Sequence, residues 1–442
     1  MKIEAIKSIL LTVLIGLSLL LTLAIWNYHP TYEQQDESES GVIEAKISGV
    51  SKSTKDIIQP SQIVYHEGDV IRGLIEKEKE KELFDEMLTW SLYDFSLRQQ
   101  NNLDEGNFVE LVFPTEMSTA TARDLFKTDD SEITYSSFNR IKIDLNEDRT
   151  ENQMIFYLNN EFVMSANIQN ITQVINSLKL FRQNNDFVAY TPFVNTNEIS
   201  IYLPNEIEME RNAFRFNTIA LSSLQNVLFN NTSAVFSAPR SYGAQIYTDG
   251  IREMVVNGYH IEFTDPTNSE GPDNQKREGR QFVSQTLKFV NDHTGWTTEG
   301  GFEYHLFNLN LPTNTVDYQL NYAGFPVFST NQLATISVTM TNQSLEKYSR
   351  PLIQLKNTFG DGTKVDGSFP TGREVAEILN SEQYQSIAIL DVLLGYELHE
   401  DQGGQVFELK PKWYVKSYGG WNELVTSSQT SGGGDSSAMG PN

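Results

Sequence analysis

The residues best suited to chemistry in this chain are few and scattered. Ser344-Leu345-Glu346-Lys347 fits S-x-x-K, the spacing at which a lysine can activate a serine nucleophile in penicillin-binding acyl transferases. Neither S-D-N nor K-T-G accompanies it, and so short a pattern arises readily by chance. The six histidines, His29, His66, His260, His293, His305 and His399, form no H-E-x-x-H pair or other metal-binding spacing. A satisfied structural role is the expectation for each. Asp361-Gly362 and Asp366-Gly367 resemble parts of a calcium loop, yet Thr363 and Val365 stand where oxygen ligands should alternate, so two plain turns are expected. With 58 carboxylates, pairs at glycosidase separation are unavoidable and carry no information. There is no G-x-S-x-G elbow, no Gly-rich phosphate cradle after a strand and no cysteine. The expectation is a non-enzyme with no catalytic residue, no metal and no cofactor.

One spacing does carry a mechanism. Ser8, Thr12 and Gly16 recur every four residues, and Ser18 and Thr22 make a second such pair. Small residues at this interval let helix backbones approach closely in lipid, which marks a docking face for another transmembrane helix. The competing account is ordinary use of Ser, Thr and Gly in a single span.

The element that would position this face is the uncharged run Ser8–Trp26. About 18 apolar residues suffice to cross a hydrocarbon core of roughly 30 Å as a helix. Such a helix satisfies its own backbone hydrogen bonds. Trp26 and Tyr28 fall at an interfacial aromatic belt. Lys2 and Lys7 precede the run, whereas residues 27–45 are acidic and contain no Lys or Arg. The positive-inside rule therefore puts Met1 in the cytoplasm and everything after Tyr28 outside. A cleaved signal would have an apolar region of roughly 7–15 residues and a small-x-small site. Thr22-Leu23-Ala24, followed by Ile25 and Trp26, matches that site poorly. The expected location is the cell membrane, single-pass, with the bulk of the chain extracytoplasmic.

The 442 residues carry a formal net charge of −25, which argues against nucleic acid as a partner, because phosphates need clustered Lys and Arg. Hydrophobic residues at 39%, with 11% aromatics, suffice for packed cores. The lack of cysteine excludes disulfides and fits the exterior of a Gram-positive bacterium.

Strand-like alternation interleaved with helical periodicity indicates an α+β fold with mainly antiparallel sheets. The expected layout is an anchor over 1–28, a linker over 29–55, α+β domains over 56–190, 191–278 and 279–425, and a disordered tail over 426–442. Phe84, Met87, Leu88, Leu92 and Phe95 follow the EKEKEKE run at helical spacing and predict one amphipathic helix. Phe108–Phe113 reads as a strand that stops at Pro114. Helices are predicted from near Ser118, over Ile171–Phe181, near Thr218–Phe229 and over Arg280–Asn291. Thr371 and Glu374 form a T-x-x-E capping box. The aromatic-rich strands of the third domain, such as Val316–Tyr322, are expected in the core rather than at an interface.

Short segments in order along the chain then resemble a known family. They are Glu4–Thr12 with Trp26 and Pro30, Leu111–Pro114, Tyr247–Arg252, Phe325–Phe328, Tyr348–Leu352 and Pro411–Tyr414. Together with length and topology they are similar to the YycH (WalH) family of Gram-positive regulatory proteins. The resemblance implies three extracytoplasmic domains on one span. It also implies a working partnership with a single-span YycI (WalI)-like protein. The pair would bind the sensor histidine kinase YycG (WalK) and adjust its signalling to the response regulator YycF (WalR) in cell-wall homeostasis. A homodimer is compatible with the same features. Two rival functions share the anchor: an extracytoplasmic cell-wall enzyme, and a ligand-binding or adhesive module.

Overall fold

The computed structural model describes Ser18 and residues 46–425, except 48, 100–105, 130–135, 146–152, 159–161, 269–278, 342, 361, 365–368, 402 and 405. Residue types set the first sheet directly. In order across it run β3 (Leu92–Gln99), β7 (Phe162–Ile168), β6 (Gln153–Tyr157), β5 (Ser137–Asp144), β4 (Phe108–Ser118), β1 (Gln62–Glu67), β2 (Val70–Leu74), β8 (Phe187–Val194) and β9 (Ser200–Pro204). Ile63 and Tyr65 of β1 face the main core, while Val64 faces a smaller cluster with Val188, Tyr190 and Tyr202. This central strand is therefore buried on both faces, which explains its continuous apolar run.

A second sheet of fifteen strands takes in the described strands from Glu210–Thr218 to Gly420–Glu423. His260–Thr264 pairs with Ser344–Pro351, and Glu210–Thr218 pairs with Phe407–Ser417, so strands from both sides of residue 278 share one hydrogen-bonded sheet. The pairing of Phe325–Phe328 with Asp391–Glu400 is parallel; the other ladders among the described strands are antiparallel. The fold is thus mixed α+β with antiparallel-dominated sheets. The described residues from 46 to 425 form one compact unit, with a continuous core from Ile47 to Leu424. The aromatic strands of the C-terminal half are core, with Tyr304 and Tyr318 fully buried. Both hydrogen bonds of the Thr371/Glu374 capping box form, at 2.8 Å and 3.4 Å.

Two expectations need correction. The helix predicted through Phe95 ends at Met87. The Thr89 hydroxyl bonds the Glu86 carbonyl, the chain turns, and Leu92 and Phe95 lie in β3 against β7. Pairing to a neighbouring strand outweighs an apolar spacing that fits either period. Strand β4 also runs through Pro114 rather than stopping there. Its pairing with β1 reaches only Val112, and its register with β5 shifts between Val112 and Met117. The missing N–H of Pro114 therefore falls where no ladder bond is required.

Residues 46–55, in the expected linker, are held to the C-terminal half. The Ile47 N–H donates to the His293 carbonyl (2.8 Å), Val50 N–H to Trp296 (3.1 Å), and the Lys52 backbone exchanges two 2.8 Å bonds with the Asn291 amide. The side chain of Thr294 bonds the Ile47 carbonyl. Arg350, fully buried, donates to the Gly295 carbonyl and the Thr297 hydroxyl and so fixes the loop that receives this strap. A Cβ on Gly49 would sit 2.3 Å from the Thr294 carbonyl oxygen. Gly49→Ala is therefore expected to undock the strap while leaving both sheets folded. Limited trypsinolysis of the full chain should then cut at Lys46 and Lys52 several-fold faster than in the wild type.

Candidate functional site

Of the predicted docking residues, Ser18 is helical and exposed, while Ser8, Thr12, Gly16 and Thr22 lie outside the described residues. Among the described residues no helix is long and apolar enough to cross a membrane. Ser344 and Lys347 lie on one strand, opposite Thr341 and Thr339 respectively, so each has its own neighbours. Among the described residues no three His, Asp or Glu side chains gather to hold a metal.

His29 lies outside the described residues, and four of the other histidines bond neighbouring side chains. His66 stacks on Phe108 and bonds Glu110; His260 bonds the Ser349 hydroxyl; His305 bonds Glu303. Burial, and then the charge of Arg350, pushes the buried His293 down to about 4.

The structure instead assembles a cleft of about 370 Å³ where the two sheets meet. Its walls come from the Gln59–Gln62 entry to β1, the first turn of helix Lys77–Met87, β8, β9, the Gly300–Phe307 stretch and the segment beginning at Asp391. Gly73 makes one wall possible, because the ring of Tyr190 lies where its Cβ would be, 2.3 Å away. Asn195 at the end of β8 holds the seam from the other side. Its amide donates to the Leu390 carbonyl at 2.6 Å, and the Thr196 N–H donates to the Ile389 carbonyl at 2.9 Å.

A buried polar network supports the cleft. Glu110 accepts from the Arg140 guanidinium (2.7 Å) and the Tyr202 hydroxyl (2.7 Å), and bonds His66 (3.1 Å). Arg140 also donates to the Ser200 carbonyl at 2.6 Å. Burial by itself would raise the Glu110 carboxyl. The His66 hydrogen bond, the charges of Arg140 and Lys142 and the Tyr202 hydrogen bond outweigh burial and hold it at about 2. Glu80, also buried, accepts from Lys77 (2.6 Å) and the Ile63 N–H (3.3 Å); burial nonetheless raises its carboxyl. Asp391 accepts from the Val392 N–H at 2.8 Å, and burial raises it to about 6.

These residues are far apart in sequence, and sequence reading missed them as a group. The one signal available was Glu110, a lone charge within the apolar strand Phe108–Phe113. A carboxylate there has to be paired once the strand is buried.

The comparisons with known proteins divide at the boundary between the two sheets. The family model described as YycH protein, N-terminal domain, matches residues 4–207. That described as YycH protein, C-terminal domain, matches residues 198–430. The two-component system WalR/WalK regulatory protein YycH of Bacillus subtilis (strain 168) is 23% identical over 456 residues, spanning 95% of this chain and 96% of that protein. The crystal structure of YycH from Bacillus subtilis matches with a TM-score of 0.66 at 19% identity, over 86% of this chain and 98% of that one. A likeness at that identity speaks for the fold.

Two opposite pH effects follow from the geometry. Glu110 is depressed from 4.5 to about 2, so its contribution is complete above the ordinary carboxylate range and is lost as pH falls toward 2. Glu110→Gln should remove about 3 kcal/mol at pH 7 and flatten the acid limb of stability, measured by urea unfolding from pH 7 to 2. Asp391 is raised from 3.8 to about 6, so stability falls as pH rises through that window. Asp391→Asn should abolish that fall and raise the unfolding midpoint at pH 7.

Proposed function

Because the chain belongs to the YycH family, we propose that it is a membrane-anchored, non-enzymatic regulator of the sensor histidine kinase YycG (WalK). A YycI (WalI)-like single-span protein is its working partner. The observation that carries this reading is the end-to-end match, 95% of this chain on 96% of the relative, to a protein named as a WalR/WalK regulator. The separate neighbours of Ser344 and Lys347 on their strand support the non-enzymatic part.

In this account Ser8–Trp26 spans the cell membrane with Met1 in the cytoplasm, and residues after Tyr28 stand outside. The Ser8/Thr12/Gly16 face packs against a kinase or YycI-like helix, where small side chains permit close approach. Regulation is differential binding: the protein binds one signalling state of the kinase more tightly and shifts its population. A coupling of about 1–3 kcal/mol changes kinase output about 5–150-fold. The strap at residues 46–55 is hydrogen-bonded to the C-terminal half.

Tagged full-length protein, extracted in mild detergent from its own membranes, should bring down the kinase and the YycI-like protein. Exchanging residues 8–26 for an unrelated span should abolish co-purification. Replacing Ser8, Thr12 and Gly16 together by Leu should lower it at least tenfold. Full retention of both partners by both variants would eliminate the membrane docking face.

A further inference from the structure

The cleft at the seam has a built polar interior that the regulatory reading does not use. Tyr190 is 6% exposed and lines the cleft, yet among the described residues its hydroxyl makes no hydrogen bond. Asp391 also lines the cleft; one carboxylate oxygen accepts from the Val392 N–H and the other makes no hydrogen bond among the described residues, with Lys416 and Arg140 in electrostatic reach. Each lysine and arginine side chain in the wall has a carboxylate partner, although the buried Arg140 Nε has no hydrogen-bond partner. Lys77 is held by Glu80 (2.6 Å), Lys81 by Glu303 (2.7 Å) and Arg140 by Glu110 (2.7 Å). Glu78, Glu206 and Glu208 stand exposed at the rim with no ion pair among the described residues. Between these groups the walls are apolar and aromatic, including Ile75, Val112, Tyr202 and Phe325.

We propose that this cleft binds a small organic cation, an amine or guanidinium carried on an apolar body, with the Asp391 carboxylate and the Tyr190 hydroxyl as its polar anchors. An anion would meet Glu78, Glu206 and Glu208 at the rim, and inside it only cations already paired with carboxylates. A neutral apolar molecule would strip water from Asp391 and return no hydrogen bond, which costs free energy. A protonated amine satisfies both anchors, and its apolar body fills the remaining volume. The cleft, at about 370 Å³, lies within the size range of small-molecule sites. The acidic rim concentrates cations at its mouth, while the Phe325 and Tyr202 rings already face Lys77 and Arg140 at 5.9 and 5.7 Å. The proposal stands on the seam alone and is independent of which kinase the protein meets.

The test uses the full chain in phosphatidylcholine nanodiscs, with empty nanodiscs as background. 2-Phenylethylamine and its neutral counterpart 2-phenylethanol are titrated and followed by ligand-observed NMR and calorimetry. The amine should bind saturably and at least tenfold more tightly than the alcohol. Asp391→Asn should erase that preference while circular dichroism shows the fold intact. Tyr190→Phe should weaken amine binding about 2–10-fold, the loss of one hydrogen bond. The proposal is overturned if the amine shows no saturable binding or if amine and alcohol bind equally. Retention of the preference by both variants would overturn it as well.

Discussion

The constraint on which this structure rests is closure of the N-terminal sheet against the C-terminal one over a shared apolar core. Most buried side chains from Ile47 to Leu424 belong to one continuous cluster drawn from both halves, beside a smaller one of Val64, Val188, Tyr190 and Tyr202. Apolar burial supplies the driving force, at about 25 cal/mol per Å² removed from water. Polar groups at the seam then fix how the halves meet. Arg280 makes a two-bond pair with Asp124 at 2.7 and 2.8 Å, Leu309 N–H donates to the Thr115 hydroxyl at 3.1 Å, and Asn195 reaches Leu390. Arg280 and Asp124 remain partly exposed, and a surface ion pair contributes little to stability. The effect of these seam contacts is on register, because each one is satisfied in a single arrangement.

Closure is incomplete at one place, and the reason is local. The Tyr190 ring lies against Gly73, and the Glu110 network holds Arg140 and Tyr202 back against the N-terminal sheet. The result is a cleft walled by both halves. Anything that fills it contacts both sheets together, so its binding free energy acts on their closure. A regulator that works by differential binding needs an element whose arrangement can be biased. The seam has that position in the fold, and the strap through Gly49 is hydrogen-bonded to the C-terminal half.

Much of the fold was legible in the sequence because its signals were local. Val316, Tyr318, Leu320 and Tyr322 alternate and form a strand; Thr371 and Glu374 cap a helix; Ile171 to Phe181 follow a helical period and fold as one. The misread segments were those decided by a distant partner. Leu92 and Phe95 fit a helix until β7 is present to pair with β3, and Pro114 is tolerated because β4 has no partner at that residue. The cleft was illegible for the same reason. Glu80, Glu110, Tyr190 and Asp391 gather only through sheet pairing and seam closure, and no spacing along the chain encodes that. Family membership was legible because it is carried by short segments in order along the whole chain.

The central claim is that this protein changes the output of a sensor histidine kinase without doing chemistry itself. The most direct measurement is the rate of kinase autophosphorylation in vesicles, with the kinase and the YycI-like protein present and the full-length chain either included or omitted. The account predicts a change of at least about fivefold, set by a coupling of 1 kcal/mol or more between the proteins. An unchanged rate in vesicles where co-purification shows the complex has formed would contradict it.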